Sequence, residues 1–312
     1  VPGSKFIGTA IGMAWTGLLV FLVPAINNIP SLPHILEAAG WIGLIILYME
    51  YLRGQLPNFG KINLALLLLG MAMERLATGS LANLAILLVV LAMVWWRERG
   101  RIPVILIGAA LLVLAILNPI KAAWREVIWY GGTEMSTVDK LNVLEALLTT
   151  PRPPTDMRAS ETNINRLGNT PTLAWTLKVC PSYIPYWDGG TFVTVVYSLI
   201  PRFLYPDKPV MYTGNEFGRR YMLLDVNDFA TAFNLPWLID FYVNFGVFGV
   251  FVGMFLAGVL LGAIGMIVGR GCSDITYAIW LAATHSLFFA ESSFALMWGN
   301  VILTVALFTV LF

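Results

Sequence analysis

The chain has 312 residues, of which 58% are hydrophobic and 12% charged, and its formal net charge is +1. That composition belongs to a multi-span membrane protein, and with no basic surplus it excludes a nucleic-acid binder. There is no Cys/His cluster at metal-ligand spacing and no Gly-rich loop ending in Lys-Ser/Thr, which disfavours a metal or nucleotide enzyme.

A bilayer span needs about 20 apolar residues. In chain order the candidates are 7–26, 38–52, the short 62–75, 79–96, 102–118, 239–268, 275–290 and 293–312. Arg97, Arg99 and Arg101 mark the cytoplasmic side, because Lys and Arg in short loops are retained there. Counting from them puts Arg53, Lys61 and Arg270 inside, and 27–37, Glu74 to Ser80, 119–235 and Glu291 outside. The short 62–75 segment counts as a span, since dropping it would expel Arg53 and Lys61. Cys180 and Cys272 then lie on opposite sides and stay unpaired thiols. The chain opens on Val1 and ends on Phe312 inside an apolar run, which marks it as part of a longer protein.

The fold expected is an all-α, polytopic membrane helix bundle of about eight spans. Its regions are N-terminal spans over 1–118, an extracytoplasmic segment over 119–238, and C-terminal spans over 239–312.

Loops as long as that external segment carry structure or function of their own. In "TVDKLNVLEALL", Val138, Leu141, Leu144, Leu147 and Leu148 form one helical stripe; in "TPTLAWTLKV", Thr170 is a possible N-cap with Pro171 at the first helical position. Both suit helices on the membrane surface. The polar, Pro-rich run between them reads as a mobile lid. "TFVTVVYSLI" over 191–200 is apolar but too short to span, which predicts an interfacial or re-entrant helix.

The stretch "LIPRFLYPDKPVMYTGNEFGRRYML" concentrates Arg202, Lys208, Arg219 and Arg220 among three prolines. Arginine forks and lysine charges at a bilayer surface suit an anionic headgroup or a lipid-linked pyrophosphate. For Arg220 the plainer reading is an ion pair with Glu216, four residues away, of about 0.3–0.5 kcal/mol. Arg202 follows an apolar segment and has no evident packing task. Asp225, Asp228, Asp240, His285 and Glu291 are the titratable groups near the external face able to act as a base. Asp240, beside Tyr242 and Asn244 where a helix enters the membrane, leads; its alternative is to cap or hydrogen-bond that helix end. Trp175, Tyr183, Tyr186 and Trp187 read as an interfacial belt or as sugar-stacking faces, and Gly246, Gly249, Gly253, Gly258 and Gly262 as a close-packing seam on one long helix.

"LIPRFLYPDKP", then "TGNEFGRRYMLL" and "WLIDFYVNFGVFGVFVG", with "NPIKAAWREVIW" and "NRLGNTPTLAWTLKVCPSYIPYWDGGTF" before them, resemble bacterial oligosaccharide repeat-unit polymerases of the Wzy type, within the O-antigen polymerase and ligase group. The resemblance covers roughly residues 118 to 255. Those polymerases carry an Arg, fifteen intervening residues and a Gly in their periplasmic loops. At that spacing Arg202 meets Gly218 and Arg152 meets Gly168. The family has its two copies in separate loops, whereas both fall here in one segment, and Arg166 is the alternative second anion ligand.

The resemblance implies a membrane glycosyltransferase of the bacterial cytoplasmic membrane. It would polymerise undecaprenyl-pyrophosphate-linked oligosaccharides at the periplasmic face for O-antigen, capsule or exopolysaccharide. No cofactor and no metal are implied, since the lipid pyrophosphate is the leaving group. Membrane lipids, a chain-length regulator and a flippase are the implied partners. Arg202 with Lys208, Gly218, Arg219, Arg166 and Arg152 would hold pyrophosphate and glycan, and Arg202, Asp240 and His285 would do the chemistry. A ligase moving finished glycan to another acceptor, or a lipid-linked sugar transporter, are the competing readings.

Overall fold

Within a hydrocarbon layer a single chain satisfies its backbone most simply as helix. The computed structural model describes residues 4–29, 31–77, 81–117, 124, 137–149, 169–200, 205, 207–209, 212–268, 272–288 and 292–311. These contain twelve α-helices and no strand. The described residues of the eight predicted apolar segments are mostly helical, and the short 62–75 lies inside a 20-residue helix, Asn58–Ala77. Three helices are both long and apolar enough to cross a membrane: Leu32–Leu52, Trp237–Ile267 and Phe294–Leu311. The chain divides into two compact units, Val1–Thr155 with Ser273–His285, and Asp156–Cys272 with Ser286–Phe312.

The first unit contains α1 (Ser4–Leu22), α2 (Leu32–Leu52), α3 (Asn58–Ala77), α4 (Leu81–Arg99), α5 (Val104–Leu117), α6 (Thr137–Thr149) and α11 (Asp274–Thr284). Its tightest seam joins α1 to α2. There a Cβ added to Gly43 would stand 2.5 Å from the Ala10 carbonyl oxygen, and one added to Gly40 2.6 Å from the Gly17 Cα. Without hydrophobic drive in lipid, such backbone-to-backbone contact is what holds helices together. The Trp15 indole donates to Asn63 Oδ1 at 3.0 Å and so ties α1 to α3.

Charged clusters close both ends of α2. Arg53, its C-cap, donates through Nε and Nη2 to the two oxygens of Glu98 at 2.8 Å each, and through Nη2 to Asp274 at 2.9 Å. Arg97 joins Asp274 at 3.0 Å and lies over the Tyr277 ring. Near the other end Glu37 meets Arg75 at 3.2 Å, and the guanidinium covers Trp41. Leu144 of α6 packs with Leu84, Leu117 and Trp124, and Leu147 lies against the same cluster, whereas Leu148 of the predicted stripe is exposed.

The second unit contains α7 (Thr170–Val179), α8 (Val193–Leu199, preceded by a 3-10 turn at Gly190–Phe192), α9 (Thr213–Arg220), α10 (Trp237–Ile267) and α12 (Phe294–Leu311). Asn169, not Thr170, takes the N-cap of α7, and the lid predicted over the polar run before it falls outside the described residues.

The long glycine-bearing helix differs from the predicted straight rod. At Gly246 the backbone has φ 66° and ψ −159°, a conformation open to glycine alone, and the helix breaks there. Twelve residues of straight helix would hold Phe241 and Gly253 roughly 18 Å apart. Instead, a Cβ on Gly253 would lie 2.3 Å from the Phe241 ring, so the first nine residues fold back onto the rest. Gly249 and Gly253 therefore admit their own chain's aromatics, while Gly258 and Gly262 face open space. Val247–Ile267 beyond the break keeps an oily outer face, with Phe248, Phe251 and Phe255 77%, 73% and 69% exposed.

Candidate functional site

The basic stretch is organised by α9. Thr213, Asn215, Phe217 and Gly218 face inward, and Phe217 with Tyr221 packs into a core of Val179, Cys180, Leu235, Ile239, Tyr242 and Val243. Gly218, the glycine of the Arg202 motif, is a packing position: a Cβ there would meet the Leu224 side chain at 2.5 Å and Phe233 at 3.1 Å. Asn215 donates to the carbonyls of Asp228 and Thr231 at 2.8 Å each, pinning the loop that follows.

Arg219 and Arg220 end this helix, where a positive charge complements the helix dipole. Arg219 Nε donates to Asn215 Oδ1 at 2.8 Å, and its guanidinium lies 4.2 Å from the Phe229 ring centre. Arg220 donates to the Pro185 carbonyl at 3.0 Å and lies over Trp187. The predicted pair with Glu216 is not formed; among the described residues neither arginine makes an ion pair. The reason is geometric, since the Trp187 face and an unpaired carbonyl draw Arg220 away from its own helix. Lys208 donates to the Ile200 carbonyl at 3.0 Å. Arg152, Arg166 and Arg202 lie outside the described residues, as does Glu291.

Of the aromatics, Trp175, Tyr186 and Trp187 pack against the core under α9, while Tyr183 is 80% exposed. Tyr221, fully enclosed, is pushed well above the usual phenol range by burial, and burial raises Cys180 too. Neither is poised to lose a proton.

The carboxylates of the loop after α9 are committed to turns. Asp225 accepts from the Asn227 N–H at 2.8 Å. Asp228 accepts from the Thr231 and Ala230 N–H groups, and its bonds to Thr231 hold its carboxyl below the usual range.

Asp240 is fully buried at the start of α10. Its Oδ1 accepts from the Thr191 hydroxyl at 2.7 Å and from Asn244 Nδ2 at 3.1 Å; its Oδ2 accepts from the Phe294 N–H at 2.9 Å. Phe294 is the first residue of α12, so the carboxylate satisfies an orphan donor of a neighbouring helix. Asp240 thus joins the folded-back half of α10, the turn before α8 and the end of α12, inside a shell of Trp237, Phe241, Phe294 and Trp298.

His285 belongs to the first unit. Its Nδ1 lies 2.6 Å from the Ala282 carbonyl oxygen, and its ring lies 4.7 Å from that of Trp41. A carbonyl can only accept, so Nδ1 carries a hydrogen toward it. Around Trp41 the same unit gathers Arg75, Glu37 and Glu74, and Glu37, Glu74 and Arg75 line a cavity of about 50 Å³. Sequence reasoning had treated Glu37 and Glu74 only as loop markers. Acids and a guanidinium at the tips of apolar helices were the available signal. Among the described residues no group of three His, Cys, Asp or Glu could hold a metal.

Residues 17–312 match the family described as Domain of unknown function (DUF8712), and the chain belongs to that family. No curated protein and no solved structure matches it.

Proposed function

We propose that this member of the family is a bacterial inner-membrane glycosyltransferase that transfers a glycan carried on a lipid pyrophosphate, extending oligosaccharide repeat units at the extracytoplasmic face. The observation that carries the reading is the state of Arg219 and Arg220. Both are oriented by neutral groups on one short helix, and neither makes an ion pair among the described residues. Preorganised cations of this kind stabilise charge developing on a departing pyrophosphate.

Arg202 and Lys208 complete the anion site in this reading, with Arg166 or Arg152 as a further ligand. Asp240, with both oxygens engaged, acts as a positioning residue that holds the ends of α10 and α12. Eight membrane spans go with this proposal. In support, Glu37 and Arg53 stand at opposite ends of α2, sixteen residues or roughly 24 Å apart. Each cluster gathers residues assigned to one side of the membrane.

A transporter of lipid-linked sugar is the second reading, favoured by the break at Gly246, since broken helices recur in transporters. One experiment separates them. In a host lacking its own polymerase, wild type should restore a glycan ladder, whereas Arg202→Ala and the Arg219→Ala/Arg220→Ala pair, at equal membrane abundance, should leave single repeat units. A wild type that changes only the attachment or export of glycan of normal length would hand the function to the ligase or the transporter.

A further inference from the structure

The turn from α4 to α5 carries a feature that glycosyl transfer does not use. Gly100, with φ 64°, and Pro103 reverse the chain within four residues, so that Arg99 and Arg101 flank the turn. Beside them is an open groove of about 740 Å³. Its rim is Arg99 and Arg101, its floor includes Trp95, and its wall is formed by Ile102, Val104 and Ile105, the last 85% exposed.

The neighbouring cations provide an internal control. Arg97, two residues before Arg99, and Arg53 at the end of α2 are neutralised by Glu98 and Asp274. Arg99 instead donates to the Leu52 carbonyl at 2.7 Å and lies over the Trp95 ring, and neither Arg99 nor Arg101 makes an ion pair among the described residues. Two guanidiniums that make no ion pair among the described residues therefore share one groove with exposed aliphatic side chains. Water is a poor occupant beside these side chains, and a soluble anion would leave them bare. An amphiphile with a negative head and a hydrocarbon tail satisfies both parts.

We propose that this groove holds one anionic phospholipid of the leaflet at that end of the helices, its phosphate between Arg99 and Arg101 and an acyl chain along Ile102, Val104 and Ile105. The inference rests on the membrane character of the chain and not on its reaction. The bound lipid would cover the oily start of α5 and fasten the α4–α5 turn to the membrane surface.

Native mass spectrometry of the purified full chain in detergent, titrated with phosphatidylglycerol or phosphatidylcholine, tests it. Wild type should retain one phosphatidylglycerol in preference to phosphatidylcholine. Arg101→Gln alone, which breaks no hydrogen bond to the described residues, should weaken that retention about fivefold, and Arg99→Gln with Arg101→Gln should abolish the preference. Lys61→Gln, the same charge change at an exposed helix start outside the groove, should leave it intact. Equal retention of both lipids by wild type overturns the proposal. So does undiminished phosphatidylglycerol binding by the double variant, or a groove closed by a second copy of the chain with no lipid released when the dimer is broken.

Discussion

Arg53 at the end of α2 and the two arginines at the end of α9 are the same residue type in similar positions, yet the molecule uses them differently. Arg53 grips two carboxylates from α4 and α11, so its charge is spent inside the fold. Arg219 and Arg220 are gripped by an amide oxygen, a carbonyl and two aromatic rings, which fix direction and leave the charge available. A counter-ion makes an arginine a fastener, whereas neutral partners make it a tool aimed at something not yet present.

The largest effect expected from breaking this contrast is on the fastener. Arg53→Ala would leave Arg97 alone to neutralise both Glu98 and Asp274 and would remove the partner of buried Glu50. Uncompensated buried charge costs 3–5 kcal/mol; with Arg53 and Asp274 about a third exposed, a loss of about 2–3 kcal/mol is expected in unfolding measured in detergent. Arg219→Ala with Arg220→Ala should behave oppositely. Stability should drop by only about 1 kcal/mol, from two cation–π contacts, while chain extension falls on the order of 100-fold. Equal damage to stability and activity in both variants would erase the distinction.

Acid sharpens the comparison with a smaller effect. Hydrogen bonds from Arg53, then from Arg97, draw the Asp274 carboxyl down to about 2 from an ordinary 3.8. A carboxyl depressed by folding stabilises the native state above its ordinary value, and that contribution is lost as pH falls through the folded value. Wild type should therefore lose an increment of stability between about pH 4 and pH 2. Asp274→Asn should be less stable at neutral pH, with the gap closing across that window. A variant at Arg220, which makes no ion pair among the described residues, should run parallel to wild type over the same range.

How far the sequence could reveal this follows from the kind of pattern each feature leaves. Apolar runs bounded by charge gave every long helix, because hydrocarbon burial is read residue by residue. Arg97 was legible as a side marker, but its pairing with Asp274 spans 177 residues and leaves no local trace. Gly246 stood in a glycine series that reads as a packing seam; only backbone dihedrals separate the one that breaks the helix from those that smooth it. Asp240 was found as a costly acid at a helix start. Its partner, the Phe294 N–H, is a backbone group that no residue pattern advertises.

The smallest effect is the most discriminating for Arg220. Spacing alone pairs it with Glu216, and such a pair on an exposed helix contributes about 0.3–0.5 kcal/mol. In the structure Trp187 and the Pro185 carbonyl hold the guanidinium instead, and Glu216 points outward from the first turn of α9, where it meets the helix dipole. Glu216→Gln should then cost only the dipole contribution, about 0.3 kcal/mol at low salt, and the cost should be the same in an Arg220→Ala background. A coupling energy of about 0.5 kcal/mol or more in that double-mutant cycle would mean that Arg220 is neutralised after all. If the two sites are additive, the charge at the end of α9 is unspent. Glu216→Gln should then leave glycan chain length in the complemented host unchanged, since Glu216 does not act on the guanidinium.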